Sequence, residues 1–241
     1  MKLNVVLVRT EYSSNIGSAA RAMANMGGDR LILIDTRCEL DSKAKQMAAG
    51  AQFALQSATH YASWDEFFKT EGHGLRIAMT RRTGRKRKVF PFDEKAAELA
   101  SHELAQDNIY LIFGPEADGL DAEDLAYTNF SCHLPIEGEF SSLNLAQAVL
   151  LALYIGRQHF KSGRPRTAIE TDAVQPFYFP DALIKEWLES MGFDVSARKA
   201  SAYLTLRKLF LQNLPTEHEL HVLESVLQQN IRKLKQLENK D

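Results

Sequence analysis

Phe140-Ser-Ser-Leu-Asn-Leu-Ala-Gln-Ala-Val-Leu-Leu-Ala-Leu-Tyr-Ile155 decides how the chain is read. Ser141, Ser142 and Asn144 can accept from the orphan backbone N–H groups of a helix start. From Leu145 onward the run is apolar on nearly every side, as in a helix buried all round. Taken alone, this is a capped core helix. A polar, small-residue mouth on a buried helix is also a place to hold a ligand, and two further polar clusters, Asn15 to Arg21 and Gly114 to Leu120, fall where strands end.

Moving outward toward the N-terminus, Phe130 to Ile136 reads as a strand and Asp121 to Ala126 as a short helix. Ile109 to Phe113 is a buried strand that runs into Gly-Pro-Glu-Ala-Asp-Gly-Leu. There Gly114 and Gly119 permit turns or close approach, Pro115 stiffens the loop, and Glu116 is a carboxylate at a strand tip. Asp93 to Gln106, Trp64 to Thr70 and Ser42 to Gln56 read as helical, while Leu75 to Met79, Leu31 to Ile34 and Leu3 to Val8 read as strands. Strands this apolar belong to a parallel sheet covered on both faces. After the first strand, Ser13, Ser14 or Asn15 can cap a helix that ends at Gly27-Gly28. Gly17, Ser18, Ala19 and Ala20 let a backbone or ligand approach it closely, and Arg21, about two turns in, can reach over the strand ends. Ligands of such sheets gather outside the carboxyl ends of the strands.

Beyond Phe160 the texture changes. Residues 161–179 are polar, carry two prolines and lack periodicity, as a linker does. Residues 180–241 read as three helices, Asp181 to Met191, Ala197 to Leu211 and Thr216 to Leu237, with capping-box spacing between Thr216 and Glu219. So short a segment is marginal as an independent core and is expected to dock on the main domain, residues 1–160, or on a second subunit.

The 241 residues carry an ordinary soluble composition and a net charge of -2. No apolar run approaches the ~20 residues that span a bilayer, and the first residues are too short for a signal peptide, so a cytoplasmic protein with no membrane partner is expected. Cys38 and Cys132 lack metal-ligand spacing and read as reduced thiols. The seven histidines are scattered, so no metal site is expected. Six of the eight residues from Arg81 to Lys88 are basic. Such a run is commonly a solvated loop; at a strand end in an acidic chain it is also a good phosphate contact.

No Gly-x-Gly-x-x-Gly follows the first strand, and neither Gly-x-x-x-x-Gly-Lys-Ser/Thr nor Gly-x-Ser-x-Gly occurs. Dinucleotide, nucleoside-triphosphate and common hydrolase readings are therefore weak. Three passages taken together carry more: Asn15-Ile-Gly-Ser-Ala-Ala-Arg21-Ala-Met, Ile112-Phe-Gly-Pro-Glu116-Ala-Asp-Gly-Leu120 and Ser141-Ser-Leu-Asn144-Leu-Ala-Gln-Ala-Val. In order and approximate spacing they resemble the three motifs of the SpoU branch of the SPOUT superfamily of RNA ribose 2′-O-methyltransferases. The likeness runs from Lys2 to about Phe160. Met191-Gly-Phe193, Arg207-Lys-Leu-Phe210 and Glu219-Leu-His-Val-Leu223 look, more loosely, like the helical extension of the TrmJ-type tRNA methyltransferases.

The resemblance implies an α/β fold, a parallel sheet flanked by helices with a C-terminal trefoil knot, plus a small all-α C-terminal extension. It also implies S-adenosyl-L-methionine as cofactor, bound bent in the knot, and a homodimer in which both subunits complete each site. The catalytic pattern falls on Asn15, Arg21, Glu116, Ser142 and Asn144. Cofactor contacts fall on Thr80, Arg81, Gly114, Leu134, Ser141, Ser142 and Leu143, and RNA phosphates would meet Arg82, Arg85, Lys86, Arg87 and Lys88. Arginine stays protonated, so Arg21 is read as a preorganised cation for the developing alkoxide, its fork held by Glu116 and Asn15. Asn144 and Ser142 would align ribose and sulfonium. The substrate the tail implies is tRNA, methylated at the first ribose of the anticodon loop. Pro115 stands where TrmJ-like sequences often carry a basic residue, which leaves ribosomal RNA as the competing substrate. A non-catalytic RNA-binding protein on the same scaffold, and a nucleotide-binding enzyme unrelated to methylation, are the other classes.

Overall fold

The computed structural model describes residues 1–71, 73–81, 88–101, 108–138, 142–160, 178–195 and 202–238. Among them β1 (Lys2–Val8), β2 (Arg30–Ile34), β3 (Thr59–Tyr61), β4 (Leu75–Met79), β5 (Phe90–Pro91), β6 (Asn108–Phe113) and β7 (Phe130–His133) form one sheet. Its order is β3-β2-β1-β6-β4-β7-β5, and every pairing is parallel. The sheet's helices are α1 (Ser13–Met26), α2 (Ser42–Ala48), α3 (Gln52–Gln56), α4 (Trp64–Glu71), α5 (Phe92–Ser101), α6 (Ala122–Ala126) and α7 (Leu145–His159). The tail adds α8 (Asp181–Ser190), α9 (Ala202–Gln212) and α10 (Glu217–Glu238).

Successive strand side chains point to opposite faces, and β1 shows why both must be apolar. Leu3, Val5 and Leu7 pack with Ile16, Met23 and Leu153 on one face, while Val6 and Val8 meet Trp64, Phe67 and Tyr110 on the other. The parallel, doubly covered sheet expected from sequence is therefore present. The path of the expected knot depends on residues 82–87 and 139–141, which lie outside the described residues.

Several local expectations change. The helix expected from Ser42 to Gln56 is two helices, because Ala49 (φ 41°) and Gly50 (φ 96°) adopt left-handed conformations that end the first. Strands β3 and β5 were not foreseen, and β7 stops at His133, short of Ile136. None of Ser13, Ser14 and Asn15 caps α1. Its N-cap is Tyr12, which makes no side-chain capping bond, and the Ser13 hydroxyl instead donates to Asp41 at 2.7 Å. That bond and the Ala44 N–H hold the Asp41 carboxyl below its usual range. At Gly17 the close approach is by backbone, since an added Cβ would lie 2.1 Å from the Ala44 carbonyl oxygen.

On α7 the cap is Asn144, whose Oδ1 accepts from the Ala146 N–H at 2.9 Å while its own N–H donates to Gln147 Oε1 at 3.1 Å. Burial all round does not hold within one chain. Val149, Ala152 and Leu153 are enclosed, but Leu150 is 37% exposed and Tyr154 53%.

The tail docks on the main domain. Its own core gathers Phe179, Ile184, Leu188, Tyr203, Leu211, Leu220 and Leu227, and the expected Thr216/Glu219 capping pair forms at 2.7 and 3.3 Å. Buried Arg207 of α9 reaches across, donating to the Ala126 carbonyl at 2.8 Å and to Asp181 at 2.7 Å. Its guanidinium lies 4.1 Å from the Tyr127 ring centroid and 4.7 Å from that of Phe68. Asn129 Nδ2 donates to the Leu211 carbonyl at 2.8 Å, closing the contact from the other side.

Candidate active site

Three strands that lie together in the sheet, β6, β4 and β7, release their chains at one edge, and these exits surround a cavity of about 930 Å³. From β4 come Thr80 and Arg81; from the β6 loop, Gly114 and Glu116; from β7, His133 and Leu134. The start of α7 adds Ser142, Leu143 and Asn144, and the start of α1 adds Tyr12 and Asn15. A bond from the Thr80 N–H to the Cys132 carbonyl at 2.9 Å continues the β4–β7 pairing to the rim.

Asn15 and Glu116 stand 101 residues apart in sequence and meet directly, with Asn15 Nδ2 donating to Glu116 Oε1 at 2.7 Å. The other carboxylate oxygen accepts from the Glu11 N–H at 3.3 Å. Both oxygens of Glu116 are thus oriented by the segment that leaves β1. Arg9, at φ 49° in a turn after β1, strengthens the same junction. It donates to Asp124 Oδ1 at 2.9 Å and to Asp121 Oδ2 at 3.2 Å. Those two carboxylates form the reciprocal cap of α6, which follows the Glu116 loop. Arg9 was not singled out in the sequence, although the Asp121-x-x-Asp124 spacing that receives it is visible there.

The cavity therefore brings together four of the five residues of the catalytic pattern: Asn15, Glu116, Ser142 and Asn144. Arg21 is not among its lining residues. It lies six residues beyond Asn15, about 9 Å along α1 at 1.5 Å per residue, and its side chain is exposed. The fork expected between Arg21 and the Asn15–Glu116 pair is not formed within one chain, because Arg21 does not line the cavity that holds those two residues. Of the cofactor set, Thr80, Arg81, Gly114, Leu134, Ser142 and Leu143 line the cavity, while Ser141 lies outside the described residues. Arg82, Arg85, Lys86 and Arg87 also lie outside them. Lys88 is exposed, its ammonium 4.8 Å from the Phe90 ring centroid.

Neither cysteine is set up as a nucleophile. Burial pushes the Cys132 thiol up to about 12, and Cys38 is shifted in the same direction by burial and the nearby Glu116. Among the described residues no group of three or more His, Cys, Asp or Glu could hold a metal ion, and no helix is long and apolar enough to cross a membrane.

Residues 2–154 match the model of the SpoU rRNA Methylase family. The tRNA (cytidine/uridine-2′-O-)-methyltransferase TrmJ of Photorhabdus laumondii subsp. laumondii is 29% identical over 231 residues, covering 93% of this chain and 95% of that protein. The crystal structure of TrmJ from Z. mobilis ZM4 superposes with a TM-score of 0.74 at 30% identity, over 95% of this chain and 99% of that one. A structure concerned with 2′-OH methylation of C/U34 on tRNA matches 67% of this chain and 98% of its own, at 25% identity and a TM-score of 0.52. The likeness to the Z. mobilis protein takes in the helical tail as well as the sheet, and the chain belongs to the SpoU rRNA methylase family, in the group that holds TrmJ.

Proposed function

We propose that this chain transfers a methyl group from S-adenosyl-L-methionine to a ribose 2′-hydroxyl of tRNA, at a cytidine or uridine of the anticodon loop. The observation that carries the reading is the Asn15–Glu116 pair at 2.7 Å in a cavity whose rim also holds Ser142 and Asn144. A cavity of about 930 Å³ fits the cofactor, within the range of small-molecule sites. Gly114 supplies a close backbone approach, since an added Cβ would lie 2.4 Å from both Gly119 C and Leu120 N. Gly114→Ala is accordingly expected to lose about 1–3 kcal/mol of stability and at least about tenfold in affinity for S-adenosyl-L-methionine. Denaturant unfolding and calorimetry measure the two effects.

The cofactor supplies an electrophilic methyl group on a sulfonium. The protein's task is to place a ribose hydroxyl in line with that methyl and to stabilise the alkoxide as its proton leaves to phosphate or water. Asn144 spends its side-chain oxygen on the α7 cap, which leaves its amide to donate to the substrate. Glu116, oriented at both oxygens, is the carboxylate that receives a guanidinium. Because Arg21 is exposed and does not line its own chain's cavity, its role is to serve the partner subunit's site in a homodimer. The exposed Leu150 and Tyr154 on α7, which packs beside α1, suit a buried interface there. The basic run Arg82, Arg85, Lys86, Arg87 and Lys88 meets RNA phosphates, and the reaction takes place in the cytoplasm, where tRNA is found.

Incubation with labelled S-adenosyl-L-methionine and separate pools of tRNA and ribosomal RNA tests the assignment. Label in tRNA, mapped to a 2′-O-methyl group at the first ribose of the anticodon loop or at position 34, is the expected result. Label confined to ribosomal RNA would reject the tRNA reading, and no transfer to either pool would reject the activity.

A further inference from the structure

Thr80, Leu134 and Leu143, read above as cofactor contacts, line the cavity together with Asn15 and Glu116, and on that reading the last two mark its acceptor end. Tyr12 also lines the cavity, and nothing so far accounts for its side chain. Its backbone is fixed to the acceptor end, because the Tyr12 carbonyl accepts from the N–H groups of Asn15 at 3.0 Å and Ile16 at 3.4 Å. Its ring contributes nothing evident to the fold. It makes no capping bond and is 58% exposed. Among the described residues it pairs with no other ring and its hydroxyl has no hydrogen-bond partner. Phe53 and Tyr154 are comparably exposed aromatics, but neither lines the cavity.

A large ring left in water beside a polar pair calls for a planar, partly apolar ligand. If a ribose sits against Asn15 and Glu116, the base on its C1′ is the planar group within one nucleoside's reach of it. We infer that Tyr12 is the stacking platform for the base of the nucleotide being methylated, a pyrimidine turned out of a loop. Enzymes acting on single nucleotides splay the base out of its stack and hold it on aromatic faces. A stacking face needs no hydrogen bond to the base, so it accepts cytidine and uridine alike. This inference rests on the ribose methyltransferase reading given above.

The test uses the full chain and an anticodon stem-loop RNA, comparing wild type with Tyr12→Ala, Tyr12→Phe and Tyr12→Trp. Tyr12→Ala is expected to raise KM for the RNA about tenfold to a hundredfold, with kcat within about twofold and affinity for S-adenosyl-L-methionine unchanged. Phe and Trp at this position should keep KM near the wild-type value, since the face is retained. On a stem-loop whose target nucleotide is abasic, wild type and Tyr12→Ala should have the same KM; a purely structural role for Tyr12 would leave the difference in place. Unchanged KM on the normal RNA overturns the inference. So does an equal loss of cofactor affinity, which would put the ring in the cofactor site, and so does a change in oligomeric state by ultracentrifugation, which would put it in a subunit interface. Failure of the wild type to methylate any RNA rejects the activity itself, so the two failures are read from different proteins.

Discussion

Arg21→Ala is expected to melt where the wild type does and to have lost about two to three orders of magnitude in kcat. The side chain is exposed on the surface of α1. Alanine is at least as good a helix former, and surface changes of this kind stay within about 0.5 kcal/mol. Removing a preorganised group that stabilises developing negative charge costs roughly a hundredfold to a thousandfold in turnover. Arg21→Lys keeps the charge without the planar fork and should fall between the two; wild-type turnover in that variant would contradict the proposed role. A mixed dimer of Arg21→Ala and Asn144→Ala chains separates the geometries. If Arg21 serves the neighbouring subunit, one of the two sites in that dimer is intact and activity returns, whereas each homodimer stays inactive. A mixed dimer as inactive as its parents would place Arg21 in its own chain's chemistry.

Arg207→Ala is the largest expected loss of stability. The guanidinium is buried against Tyr127 and Phe68, bonded to the Ala126 carbonyl and paired with Asp181. Its removal leaves a cavity and an unpaired carbonyl, at a cost of about 3 kcal/mol. Two features hold the figure below that of a fully buried pair. Asp181 is partly open to solvent, and Arg76, lying 4.3 Å from the Phe68 centroid, is itself pushed down to about 9 by burial and by Arg207, so one repulsion is relieved. The denaturation midpoint should fall, with the amides of α8 to α10 exchanging first in hydrogen-exchange measurements. Uniform exchange across the chain would show that the tail is not held by this residue.

Much of the sheet was legible because burial on both faces demands unbroken apolar strands, and Leu3 to Val8 or Ile109 to Phe113 can hardly be anything else. The strands missed carry no such mark. Thr59-His60-Tyr61 is short and polar, and Phe90-Pro91 consists of two residues whose strand character comes from the β7 residues they pair with. Pairings across a long stretch of chain leave no local trace. The same is true of caps: Ser13 looks like one, but Asp41 of another loop takes its hydroxyl. At the site, the motif spacing located Asn15, Glu116, Ser142 and Asn144. It did not reveal that Asn15 would bond Glu116, or that Arg21 would face outward, because both depend on where α1 meets a loop 100 residues on. Arg9 and Tyr12 lay hidden for a related reason, since a lone arginine or tyrosine takes its meaning from what stands opposite it.

Strand β7 lies between β4 and β5, and among the described residues Phe90-Pro91 has no neighbour in the sheet except β7. During synthesis, residues 75–91 therefore leave the ribosome well before the strand that must slot between them. Until Cys132 emerges, the bond from the Thr80 N–H to its carbonyl cannot form, and α7 follows later still. Non-local parallel pairing of this kind forms slowly, and a nascent or truncated chain ending at β7 has all seven described strands but lacks Ser142 to Leu145, which complete the cavity. Cofactor binding is then a readout of completed assembly, and it should be the last native property to return on refolding.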